Sequence, residues 1–217
     1  MNNYTIAKQI TINANIQLYV LDISKNIRYC NRSIIPKTQI DEISRYKVKQ
    51  DSDKRLLART FLYEYLLKYY GIDDFELDFN IYKKPFLKAE PNINFSFSYA
   101  KDYLLVGISR YKKVGVDIEH INPTIKINEI ASEIMCSAEL QQFDSYTDNS
   151  LDKCIYFFNL FSAKESIIKS FGTGLYFDVK NLNILDTTEF SYMDVKFIYH
   201  GLGLWMNKYI LALCYEK

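Results

Sequence analysis

The chain has 217 residues, with 27 Lys and Arg against 26 Asp and Glu, and a formal net charge of +1. A charge this nearly balanced excludes a global field that would draw in nucleic acid or an acidic membrane surface. The length is enough for one large domain or two small ones, burying roughly 70% of the unfolded surface.

In chain order, Ile10, Ile12, Ala14, Ile16, Leu18 and Val20 alternate with polar residues and predict one half-buried strand over 10–20. Pro36 opens a polar stretch to Asp53, with a short helix expected around 40–46. Asp51, Ser52 or Asp53 can cap the next helix, which Gly71 ends. Its Ala58, Phe61, Leu62, Tyr65, Leu66 and Tyr69 repeat with the spacing of one buried helical face. Arg55 and Arg59 are expected on its first turns, where outward N–H groups favour anions.

Strands are predicted at 75–81 and 94–99, separated by Lys83-Lys84-Pro85, where proline breaks the ladder. Residues 103–109 and 114–119 read as a hairpin turning through 110–113. A helix is expected at 128–135, and Ser137 can cap a further short one carrying Glu139, Leu140 and Phe143. The stretch 157–169, FFNLFSAKESIIK, has apolar residues near helical spacing, and its helix ends at Gly172. Residues 181–185, 195–199 and 209–215 supply closing strands. Each half thus contains strands and one dominant helix, 53–70 and 152–171. The fold class is α+β, with two similar lobes expected at 1–112 and 113–217.

The four cysteines, Cys30, Cys136, Cys154 and Cys214, form no CxxC pair, and His120 and His200 are remote from them in sequence. This argues against a standard zinc site or a disulfide scaffold and fits free thiols in a reducing cytoplasm. There is no basic-then-apolar leader and no apolar run of about 18 residues, so a soluble cytoplasmic protein is expected. Charge is locally uneven. Lys47, Lys49, Lys54, Arg55 and Arg59 form one basic cluster, and Arg110, Lys112 and Lys113 another. Each is either a solvated face or an anion site.

Two stretches carry chemistry. In Val114-Gly115-Val116-Asp117-Ile118-Glu119, period two puts Asp117 and Glu119 on one face of a strand, their Cβ atoms roughly 6–7 Å apart. That pair is either a solvated acidic edge or a site bridged by one cation. Carboxylate oxygens without nearby His or Cys favour Mg²⁺ over zinc. On the helix at 157–169, Lys164, Glu165 and Lys169 interrupt the flank of the apolar stripe. Glu165 and Lys169 stand at i,i+4, so they form either a surface ion pair or a holder of metal and phosphate together.

Taken together, GVDIE (115–119) and FSAKESIIK (161–169) resemble the 4′-phosphopantetheinyl transferases, in their longer surfactin-synthetase type. KVKQDSDKR (47–55), KKP (83–85), NFSFSY (94–99), the Ser137-Ala138-Glu139 helix start and GTGL (172–175) follow in the same order. The resemblance implies a monomeric pseudo-dimer with the active site between its lobes. It implies transfer of phosphopantetheine from coenzyme A to a serine of an acyl or peptidyl carrier protein, releasing 3′,5′-ADP. By position Asp117, Glu119 and Glu165 match the Mg²⁺ ligands, and Glu139 matches the carboxylate that helps deprotonate the serine. Lys169 matches the lysine on the pyrophosphate, with Lys164 beside it in the same signature. Lys47, Lys49, Arg55 and Lys84 match positions that hold coenzyme A phosphates. Two residues depart from the pattern: Phe97 stands where the family usually has a coenzyme A-contacting histidine, and Phe161 where it usually has tryptophan. Phe97 motivates a second reading, a relative that binds carrier or coenzyme A without efficient transfer. A third, motivated by the carboxylates and basic clusters alone, is another Mg²⁺-dependent nucleotide-binding protein.

Overall fold

A computed structural model describes residues 2–185 and 187–217. The side chain of Leu175, which closes the GTGL stretch, lies outside the described residues. The chain divides into two compact units, Met1–Asn80 with Pro85–Tyr111, and Ile81–Lys84 with Lys112–Lys217. Each has one four-stranded antiparallel sheet and one dominant helix, so the class is α+β. No helix among the described residues is long and apolar enough to cross a membrane.

The first unit opens with a hairpin of β1 (Ile6–Asn13) and β2 (Ile16–Asp22) rather than one strand over 10–20. The alternation is unbroken because a tight turn keeps parity, pairing Ile10 with Leu18. The turn is built by Asn13, whose Oδ1 accepts from the amides of Asn15 and Ile16. Next come α1 (Ile23–Asn26), α2 (Lys37–Ile43) and α3 (Lys49–Tyr70). The start of α3 corrects the expected cap: Val48 is the N-cap and makes no side-chain hydrogen bond. Asp51 therefore lies inside the first turn. Arg55 and Arg59 lie beyond it, so the free amides of the helix start are not beside them. Gly71 ends α3 in the left-handed region at φ 67°, which glycine adopts without a Cβ penalty.

A short hairpin of β3 (Leu77–Phe79) and β4 (Pro85–Leu87) replaces the strand expected over 75–81. β5 (Ile93–Ala100) and β6 (Tyr103–Arg110) then pair with each other, giving the sheet order β1-β2-β6-β5. The buried face of α3, including Leu57, Phe61, Leu62 and Leu66, shares one core with Leu21, Phe95, Leu104 and Val106.

In the second unit, β7 (Val114–His120) does not form the expected hairpin with β6. Backbone bonds explain the difference. Arg110 and Tyr111 donate to Asn15 and Asn92, whereas Lys113 exchanges hydrogen bonds with Glu216. Then follow α4 (Ile127–Ile134), α5 (Ser137–Asp144) and α6 (Leu151–Phe171). Cys136, not Ser137, is the N-cap of α5, in a capping box with Glu139. Residues 181–185 contain no strand; a 3₁₀ turn, Val179–Asn181, runs into coil there. β8 (Glu189–Tyr192), β9 (Val195–Trp205) and β10 (Tyr209–Glu216) complete the sheet, ordered β7-β10-β9-β8.

α6 is the organising helix of this unit. Ser150 caps its start, its Oγ accepting from the Lys153 amide at 3.1 Å, and Gly172 ends it at φ 78°. Phe157, Phe158 and Leu160 pack with residues of α4 and α5, and Ile167, Ile168 and Phe171 with Phe197 and Cys214. Burial of each such side chain contributes about 1.5–3 kcal/mol.

Candidate active site

β7 is buried on both faces. Val114, Val116 and Ile118 are fully buried and alternate with Gly115, Asp117 and Glu119 on the other side. A Cβ on Gly115 would stand 2.1 Å from the Ser166 carbonyl oxygen and 2.3 Å from the Ser170 amide nitrogen. The backbone of α6 therefore lies directly on the glycine. The same face of β7 continues through Asp117 and Glu119, so both carboxylates rise beside the helix that carries Glu165 and Lys169.

The contact joining them is short. Lys169 donates through Nζ to Asp117 Oδ1 at 2.7 Å, and the Asp117 side chain is 2% exposed against 29% for Lys169. Glu119 and Glu165 belong to the same electrostatic neighbourhood. Burial, then the Asp117 carboxylate, pushes the Glu119 carboxyl up to about 8; Lys169 opposes this and Glu165 adds to it. Burial raises Glu165 as well, with Lys169 opposing and Asp117 adding.

This donor set fits a hard divalent cation, since it consists of carboxylate oxygens whose mutual repulsion a cation would relieve. As the side chains stand, no group of three or more His, Cys, Asp or Glu among the described residues is closed into a metal cage. The Lys169 ammonium is the positive charge seated on Asp117.

Lys84 lies where β7 begins and α6 ends. Its ammonium donates to the Lys169 carbonyl at 2.6 Å and the Val114 carbonyl at 3.2 Å. Burial pushes it down to about 8, with the Lys113 charge adding. It thus ties helix to strand beside Lys169.

Glu139 and Lys164 form a second charged contact. Both side chains are buried, and they form an ion pair of 2.5 Å with each other. Lys164 Nζ also donates to the carbonyls of Ile134 at 2.7 Å and Val179 at 3.2 Å. Glu139 accepts from the amides of Cys136 at 2.9 Å and Ile184 at 3.0 Å. The three protons of the ammonium have three acceptors. The Glu139 side chain is fully buried.

In the first unit, Lys47 and Lys49 are exposed, and Lys49 pairs with Asp53 at 2.7 Å. Arg55 spreads over the Tyr46 ring at 3.7 Å, and its Nη1 donates to the Asp51 carbonyl. Phe97 is half-buried, in contact with Phe95 and beneath the Arg59 guanidinium at 5.2 Å. Gly115 is the residue the sequence reading passed over. Its signal was available, because a glycine inside a strand marks close backbone approach.

A family model for the 4′-phosphopantetheinyl transferase superfamily matches residues 113–214. A 4′-phosphopantetheinyl transferase of Bacillus subtilis is 30% identical over 139 residues, covering 62% of this chain and 59% of that protein. The transferase gsp of Aneurinibacillus migulanus is 29% identical over 162 residues, covering 74% of this chain and 65% of that protein. Sfp of Bacillus subtilis (strain 168) is 27% identical over 145 residues, 66% of this chain and 62% of that protein. The chain thus spans less than two thirds of the length of each of these relatives. The matched residues begin next to β7 and run into β10, taking in Gly115, Asp117, Glu119, Glu165 and Lys169. Residues 113–214 are thus similar to the 4′-phosphopantetheinyl transferase superfamily.

Proposed function

We propose that the chain transfers 4′-phosphopantetheine from coenzyme A to a serine of an acyl or peptidyl carrier protein and depends on Mg²⁺. The observation that carries this reading is the Asp117–Lys169 ion pair, with Glu119 and Glu165 as its electrostatic neighbours. It brings the two halves of the family signature together on β7 and α6.

In the reaction the serine oxygen attacks the phosphorus bearing pantetheine, the bond from that phosphorus to the oxygen of 3′,5′-ADP breaks, the ADP phosphate departs as an anion and the serine proton passes to water. Asp117, Glu119 and Glu165 would hold Mg²⁺, which when bound neutralises phosphate oxygen charge. Lys169, on the more exposed side of its pair, is the donor for a pyrophosphate oxygen and for the departing ADP oxygen. Lys47, Lys49 and Arg55 are the proposed contacts for coenzyme A phosphates. No nucleophile on the enzyme is needed, because positioning and charge neutralisation supply most of the acceleration.

Incubation with coenzyme A, Mg²⁺ and a panel of apo-carrier domains, read by intact mass, tests the proposal. Covalent phosphopantetheine on a carrier serine is the expected product, and no modified carrier with any panel member would refute it. Binding of carrier or coenzyme A without modification would support the second reading, which the apolar Phe97 favours.

A further inference from the structure

The Glu139–Lys164 pair joins α6 to four further segments through one buried node. Lys164 reaches the last residue of α4 at Ile134, the first turn of α5 at Glu139 and the 3₁₀ turn at Val179. Glu139 adds the coil at Ile184 and closes the capping box of α5 at Cys136. Lys164 directly precedes Glu165 on α6, and consecutive helical residues point roughly 100° apart. Fixing Lys164 in a buried socket on one side therefore fixes where Glu165 points on the other. The Ser166 and Ser170 backbone against Gly115 gives the second point of attachment, so α6 can neither roll nor slide.

We infer that Glu139 and Lys164 are a positioning pair that sets the axial rotation of α6, and with it the direction of Glu165. They are neither the proton acceptor nor a coenzyme A contact. The inference rests on the transferase reading only for its catalytic consequence. The geometric claim stands on the buried pair itself. Each residue is held by the other and by backbone groups, and neither has an atom directed at a ligand.

The test uses Lys164→Met, Glu139→Gln and the double variant of the full chain. Measurements are the thermal midpoint, the pH profile of kcat and KM for coenzyme A. Each single variant leaves one partner buried without its counterion, and the midpoint is expected to fall by roughly 5 °C or more. The double variant should regain at least half of that loss. Its kcat should still lie about tenfold below the parent's, because nothing then fixes the rotation of α6, with the limbs of the pH profile and the coenzyme A KM unchanged; a kcat equal to the parent's would overturn the inference. A double variant as inactive as Glu139→Gln, with a limb of the pH profile lost, would make Glu139 the proton acceptor and overturn the inference. So would a Lys164→Met protein of unchanged midpoint whose coenzyme A KM rises. If the parent protein transfers nothing, the transferase reading fails. The midpoints then decide the pair alone, and additive losses in the double variant overturn it.

Discussion

Asp117 and Lys169 are 52 residues apart in sequence, yet their charged atoms meet at 2.7 Å across the contact between β7 and α6. The carboxylate is almost wholly buried and the ammonium partly open, so the pair has a fixed end and a movable end. Removing the ammonium by Lys169→Met leaves Asp117 buried without this counter-charge. The expected cost is about 1–3 kcal/mol of stability, discounted for the exposure of Lys169. Mg²⁺ should then raise the thermal midpoint more than it does in the parent, because no lysine competes for the carboxylate. A midpoint equally insensitive to Mg²⁺ in both proteins would count against the cation site.

Glu165→Gln separates a metal ligand from a surface ion-pair partner. It removes the charge of one proposed ligand while keeping shape and helix propensity. A fall in kcat of roughly a hundredfold or more is expected, on the order of 3 kcal/mol of transition-state stabilisation, partly rescued by excess Mg²⁺. Burial already disfavours the charged form of Glu165, so the midpoint of the apo protein should be unchanged or higher. Full activity in this variant would discard the metal site.

The raised Glu119 carboxyl predicts a pH dependence of stability in the apo protein. Its folded value of about 8 stands above the unfolded carboxylate value, so between the two the folded state binds the extra proton. Stability from this group therefore falls as pH rises from about 4.5 to about 8. Mg²⁺ binding in the same window should release protons and tighten with pH. Calorimetry in buffers of different ionisation enthalpy measures the proton count. Glu119→Gln should flatten both trends; identical slopes in the variant would place the titration elsewhere.

Gly115→Ala tests the contact that brings strand and helix together. The added methyl would collide with backbone atoms of Ser166 and Ser170, which cannot rotate away. A loss of about 1–3 kcal/mol or more is expected from overpacking, with activity falling further as α6 is pushed off the carboxylates. A stable, fully active alanine variant would mean that the helix has room to retreat.

Arg55→Glu should mainly raise KM for coenzyme A, since charge reversal acts on a proposed phosphate contact and leaves β7 and α6 intact. An unchanged KM would reduce the basic cluster to a solvated face. Phe97→His should bind coenzyme A equally well or more tightly, at about 1 kcal/mol of stability for the lost packing. A large loss of binding would give Phe97 a packing role alone.

Local regularities were readable from the chain. Period two set Asp117 and Glu119 on one face of a strand, and glycines at 71 and 172 ended the two long helices, because these features depend on neighbours a few residues away. The hairpin of β1 and β2 was hidden because its turn conserves the alternation. The partner of β7 was hidden because strand pairing depends on hydrogen bonds to distant segments, here to β10. The sequence placed Lys164, Glu165 and Lys169 together on one helix but could not say which way each pointed. Packing decided that: the approach of α6 to Gly115 put Lys169 on Asp117, while a buried socket of carbonyls and a carboxylate took Lys164. Residue type fixes what charge a side chain carries, but only the tertiary fold fixes whether that charge meets a ligand or another buried charge.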